Sequence, residues 1–258
     1  MKVSKKSVIQ GLLFTAPIVL GSTIVISPSR AASLAFSTAN LTLENFNRPG
    51  LVNPNFPVVR TVTVTSTDAT DGTVSAIANA SAIATLPPDP TRITQPSDAR
   101  VEQFGRRSSG FALGSSISNL DFDTQDGLFR FDFAATLSAS EQLTHSVPGV
   151  RAAATSFVGF QILDAADNQI DFFEANLVAG SPFTVRRSAF VQLTTDATSV
   201  SGFYARQFAA GTQLRVRGIT LTSAAVTVPE PSMFAALLIL PGLMGMKKVA
   251  SSRDRQFD

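Results

Sequence analysis

Between residues 33 and 227, apolar and polar side chains alternate with a period of two. This is the spacing of a half-buried strand, not of an amphipathic helix. In the run 128–137, Phe129, Phe131, Phe133, Ala135 and Leu137 share one face, and Arg130, Asp132 and Thr136 the other. Residues 156–163 group Val158, Phe160 and Ile162, residues 169–173 group Ile170 and Phe172, and the Asp- and Asn-rich stretch 164–168 between them supplies turn chemistry. A hairpin is predicted there. Further strands are expected over 33–43, 58–65, 73–84, 110–117, 183–194, 199–207 and 213–226. In the last of these, Leu214 and Val216 share a parity that Ile219 and Leu221 oppose, which predicts a bulge at Gly218.

With no convincing amphipathic helix, the pattern defines an all-β fold, an antiparallel β-sandwich of jelly-roll-like type spanning 33–227. Seven of the fourteen prolines fall between Pro49 and Pro96, so residues 86–98, LPPDPTRITQPSD, are expected to form a long irregular loop. Residues 65–85 are rich in Ala, Ser and Thr, and their small and β-branched side chains suit a strand pair better than disorder. No internal repeat is evident.

The two ends are of another kind. Residues 1–32 carry Lys2, Lys5 and Lys6, then an apolar core centred on residues 12–26, then small residues. This is the layout of a signal peptide, and it implies signal peptidase and the export machinery as partners. Both Ser29-Arg30-Ala31 and Ala31-Ala32-Ser33 present the small side chains that a signal peptidase accepts; an uncleaved N-terminal anchor is the alternative. At the other end, residues 233–246 form a largely apolar run of about 21 Å if helical, against a hydrocarbon layer of about 30 Å. Upstream extension meets Pro229, Glu230 and Pro231, which lack donors or carry charge. Downstream, Lys247 and Lys248 snorkel and hold that end on the cytoplasmic side, so the proline-flanked glutamate faces outward.

Three features in this order resemble the PEP-CTERM sorting signal: Val228-Pro229-Glu230-Pro231-Ser232, the apolar run containing Gly242-Leu243, and the basic Lys247-Lys248 followed by Arg253 and Arg255. The resemblance covers about thirty residues, 228–258. It implies a short transmembrane helix that holds the chain transiently in the inner membrane. It also implies a membrane-embedded exosortase acting at or near the triad to release the body to the cell surface or extracellular matrix. The chain departs from the family pattern in continuing eight residues past Val249-Ala250. A plain single-pass anchor with a stiff proline stalk is the alternative.

Charge narrows the partners further. All five lysines lie in the terminal segments, and residues 33–228 hold thirteen arginines against sixteen carboxylates. The body is slightly acidic although the whole chain carries +2, which argues against nucleic acid, since phosphate tracking needs clustered cations. The absence of cysteine excludes disulfides, thiolate metal sites and thiol nucleophiles.

Candidate chemistry is sparse. Asp121, Asp123 and Asp126 bring three carboxylates and Gly127 into one predicted turn, a weak calcium candidate that departs from an EF-hand loop; a polar turn feeding the next strand is the simpler reading. Asp121 and Asp123 also share a strand face, as a pair of glycosidase carboxylates would. His145 has no second histidine and no G-x-S-x-G motif. The chain has no tryptophan and one tyrosine, Tyr204, so aromatic platforms for sugar stacking are scarce. Arg186-Arg187 suits either an anionic glycan or a solvated strand edge. The expected function is therefore a non-enzymatic surface or matrix protein, structural or adhesive, with no required cofactor; a domain that binds or cleaves extracellular polysaccharide is the alternative.

Overall fold

The computed structural model describes residues 32–47, 58–85, 91–124, 127–143 and 150–227. The expected signal peptide, sorting motif, transmembrane helix and basic cluster lie outside these residues, as do Asp126 and His145. The described residues form eleven strands, β1 (Ala32–Glu44), β2 (Val58–Ala80), β3 (Ile83–Thr85), β4 (Arg92–Asp123), β5 (Gly127–Gln142), β6 (Arg151–Asp164), β7 (Gln169–Val178), β8 (Thr184–Arg187), β9 (Val191–Thr195), β10 (Ser199–Phe208) and β11 (Gln213–Thr227). Every pairing is antiparallel.

Two sheets of seven and six strands pack as a β-sandwich. One runs β2–β4–β1–β5–β10–β9, with β3 continuing the line of β2; the other runs β2–β4–β11–β6–β7–β8. β2 and β4 belong to both. Residues 93–104 of β4 pair with β1, and residues 110–123 pair with β11, while β2 follows β4 along nearly its whole length. The ribbon turns from one sheet into the other at register shifts between Ala69 and Thr73, where Gly72 takes a φ of 122°. Bulges bend strands in this way, and the left-handed φ suits glycine.

The interior tapers because side-chain size grades along each strand. The inward residues of β4 run Gly110, Ala112, Gly114, Ser116, Ser118, Leu120, Phe122, all buried. Those of β11 run Val226, Ala224, Thr222, Thr220, Gly218, Val216, Leu214 alongside. At the wide end, Phe131, Phe133, Phe160, Phe173 and Tyr204 form an aromatic cluster with centroids 4.6–5.4 Å apart for the pairs Phe133–Phe173, Phe131–Phe160 and Phe160–Phe173. Burying each ring contributes about 1.5–3 kcal/mol, and the edge-on and offset pairs add about 0.5–1.5 kcal/mol. The narrow end is a cluster of Ala35, Ala99, Val101, Ala112, Ala154, Ala224 and Val226. Between them, hydroxyls and an amide stitch the sheets. Ser37 Oγ donates to Ser223 O at 2.9 Å, Ser156 Oγ to Ser138 O at 2.5 Å, and Gln95 Nε2 to Gly218 O at 3.3 Å.

Four local expectations are corrected. There is no bulge at Gly218, because β11 keeps an unbroken register with both neighbours. Gly218 faces inward beneath Gln95, whose Oε1 would lie 2.1 Å from an added Cβ, and Ile219 and Leu221 belong to the outer face. The apparent change of parity reflects a narrow interior that admits only small residues. Second, the proline-rich segment is not all loop: Arg92 onward is β4, and Pro96 is tolerated where β2 gives way to β3, with Ser81 N donating to its carbonyl at 3.1 Å. A strand proline needs such a gap because it has no N–H. Third, the single strand expected over 183–194 is two, β8 in one sheet and β9 in the other, joined by a turn at residues 188–190. Fourth, a register shift at Ile170 changes the phase of β7, so Asp171, Phe173 and Ala175 are the buried set and Phe172 faces outward.

Candidate functional site

The described part of the acidic candidate lies at the open end of the β4–β11 pair. Asp121 and Arg215 are direct cross-strand partners. Arg215 grips Asp121 with both arms, Nε to Oδ1 at 2.6 Å and Nη2 to Oδ2 at 3.2 Å, and its Nη1 donates to Asp167 Oδ1 at 2.5 Å. Such a planar fork matches a carboxylate. Hydrogen bonding to Asp121 raises the Arg215 pKa further above its ordinary value. Asp167 reaches in from the β6–β7 turn, where it takes a left-handed φ of 61°.

That turn is organised by Asp164. Its Oδ1 accepts from Ala166 N at 2.9 Å and Asn168 N at 2.8 Å, and its Oδ2 accepts from Asn168 Nδ2 at 3.0 Å. These bonds, the Asn168 side chain foremost, hold its carboxyl below the usual carboxylate range. Asp121, Asp164 and Arg215 line a cleft of about 160 Å³. Three carboxylates around one guanidinium give the cleft a formal excess of negative charge, but a cation seated on Asp121 would have to displace Arg215. Among the described residues no group of three or more His, Cys, Asp or Glu is placed to hold a metal ion. Asp123, two residues further along β4, has a buried Oδ1.

A second polar cluster ties the sheets together at the wide end. Asp171 of β7 is 4 % exposed; its Oδ2 accepts from Tyr204 Oη at 2.8 Å and Arg206 Nη1 at 2.7 Å, both from β10 in the facing sheet. The Arg206 guanidinium also lies over Phe190 at 4.6 Å and Phe208 at 5.1 Å, a favourable cation–ring contact. Burial, reinforced by the hydrogen bond to Asp171, pushes the Tyr204 phenol well above its ordinary range. The chain's only tyrosine is thus a cross-sheet structural group with no face open to stack on a sugar.

Sequence reasoning found Asp121 and Asp123 but missed Arg215, Asp167 and the Asp171–Tyr204–Arg206 set. Asp167 and Arg215 lie 48 residues apart, and only the strand order brings them together. Asp171 was hidden by the phase change in β7. Of the two arginines of β8, Arg186 is exposed, 3.6 Å from Glu174, and Arg187 donates to Val191 O; they sit on a solvated strand edge.

The fold and clusters define an antiparallel β-sandwich whose long β2–β4 ribbon serves both sheets. In comparisons with known proteins, no protein-family model and no curated protein matched the chain.

Proposed function

We propose that this chain is an exported, non-catalytic β-sandwich protein, delivered to the cell surface or extracellular matrix by a PEP-CTERM tail, with a structural or adhesive role. The observation that carries this reading is the ordered C-terminal series Val228-Pro229-Glu230-Pro231-Ser232, a short apolar run and Lys247-Lys248. Exosortase, the export machinery and, transiently, the inner membrane are its partners. The body agrees with a non-catalytic role in two respects: Arg215 occupies Asp121, and Tyr204 is committed to packing. The β2–β4 ribbon passing between sheets supports a jelly-roll-like wrap over a plain stack. Replacing Pro229, Glu230 and Pro231 together by alanine is expected to leave the protein in the membrane fraction while the natural chain is released. Equal release of both would overturn the sorting role.

A second reading, an extracellular polysaccharide-binding or polysaccharide-cleaving domain, is favoured by the cleft where Asp121, Asp164 and Arg215 converge, because carboxylates and guanidinium groups hydrogen-bond sugar hydroxyls. A glycan array with a hydrolysis screen separates it from the first: binding lost in Arg215→Ala would support it, and no binding or hydrolysis would remove it.

A further inference from the structure

We infer that residues 60–68 of β2 form a self-complementary edge through which two copies of this chain pair as antiparallel strands. Among the described residues β2 pairs only with β4, which leaves its other edge without a strand partner along its 23 residues. Such an edge presents unpaired backbone donors and acceptors, and proteins normally blunt it with lysine, proline, bulges or brevity. The opposite edges are blunted in that way: β9 has five residues, and β8 has four, two of them arginines. The regular stretch 58–68 has no lysine, proline or register shift. Val62 is 52 % exposed and Val64 44 % exposed.

The charges select both the partner and the register. Arg60 and Asp68 have no oppositely charged partner among the described residues, and eight residues of strand put them about 27 Å apart. In an antiparallel pair of two copies with the two-fold axis at Val64, Arg60 of each lies opposite the partner's Asp68. Thr61 then meets the partner's Thr67, Thr63 the partner's Thr65, and Val64 the partner's Val64. Opposite charges and threonine pairs across strands are favourable, and like charges there are unfavourable. Moving the axis to Thr63 or Thr65 sets Arg60 against the partner's Ser66 or Thr70, and an axis between residues joins the outer face of one sheet to the inner face of the other. One axis satisfies both charge and face, and a two-fold axis closes the assembly at a dimer. The outer face beside it carries half-buried Leu113, Ile117, Ile219 and Leu221, so pairing makes one continuous apolar-patterned surface. The inference does not depend on how the tail is processed.

The test is sedimentation of the full chain in non-ionic detergent, with charge-reversed variants and one cysteine variant. The natural chain is expected to dimerise with increasing concentration. Arg60→Asp or Asp68→Arg alone should weaken the dimer at least about tenfold, since each places like charges opposite one another twice. The double variant should restore it, and so should an equal mixture of the two single variants, which also proves that both are folded. Because the chain has no cysteine, Val64→Cys should give a single disulfide-linked dimer on mild oxidation, directly opposed strand residues lying within disulfide reach. A monomer at all concentrations, a dimer indifferent to charge reversal, or no Val64→Cys cross-link would overturn the proposal.

Discussion

Tyr204 is the only tyrosine of a chain without tryptophan, so its titration can be followed alone. Its folded pKa is raised above the ordinary 10.0 by burial and by the Asp171 carboxylate. A raised value means that its contribution to stability is full below pH 10 and is lost as the pH climbs toward the folded pKa, because only the unfolded chain releases the proton. Phenolate absorbance is therefore expected to appear together with loss of the β-sheet circular dichroism; a phenolate signal in the folded protein near pH 10 would contradict the buried bond. Asp171→Ala leaves Arg206, 30 % exposed, without its counter-ion and Tyr204 without its acceptor. It is expected to cost about 2–4 kcal/mol by urea unfolding. Tyr204→Phe keeps the ion pair and should cost about 1–2 kcal/mol.

At the scale of elements, the interior is set by size as much as by hydrophobicity. An added Cβ at Gly114 would lie 2.5 Å from Asn79 O and 2.9 Å from Asp98 O, both main-chain atoms that cannot swing aside. Gly114→Ala should therefore cost about 1–3 kcal/mol through separation of the sheets, measurable as a lower urea midpoint. The β6–β7 turn makes an acid-side prediction. The Asp164 carboxyl is held below 3.8 by its hydrogen bonds to Asn168 and Ala166, so its contribution is present at neutral pH and lost as the pH falls through that lowered value. Asp164→Ala is expected to lower the melting temperature at pH 7, with the difference shrinking below pH 3.8. Strand β5 was legible because apolar and polar residues alternate cleanly from Phe129 to Leu137, and the inward Val158, Phe160 and Ile162 marked the second half of β6. The phase of β7 was not, since one extra residue at Ile170 reverses it. The single course of β2 was hidden too, because its TDATDG sequence carries turn chemistry yet lies within one bent strand. In β11, alternation of size continued where alternation of hydrophobicity stopped, and Gly218 marks the change.

For the molecule as a whole, the sandwich class was legible from period-two patterning, whereas the sharing of β2 and β4 between sheets depends on long-range pairing that no local pattern encodes. The candidate clusters were less legible than the fold: the Arg215–Asp121–Asp167 and Asp171–Tyr204–Arg206 sets join residues from strands far apart in sequence. The proposed destination rests instead on the terminal segments, where composition changes abruptly from a lysine-free body to lysine-flanked apolar runs. The central claim is that the tail is a temporary hold cut at an outward-facing triad. It is tested most directly by the intact mass of the protein recovered from hosts with and without exosortase. The account predicts a chain lacking the signal segment and ending at or near Pro229-Glu230-Pro231 when exosortase is present, and retention of residues 228–258 when it is absent; identical C-termini from the two hosts would contradict it.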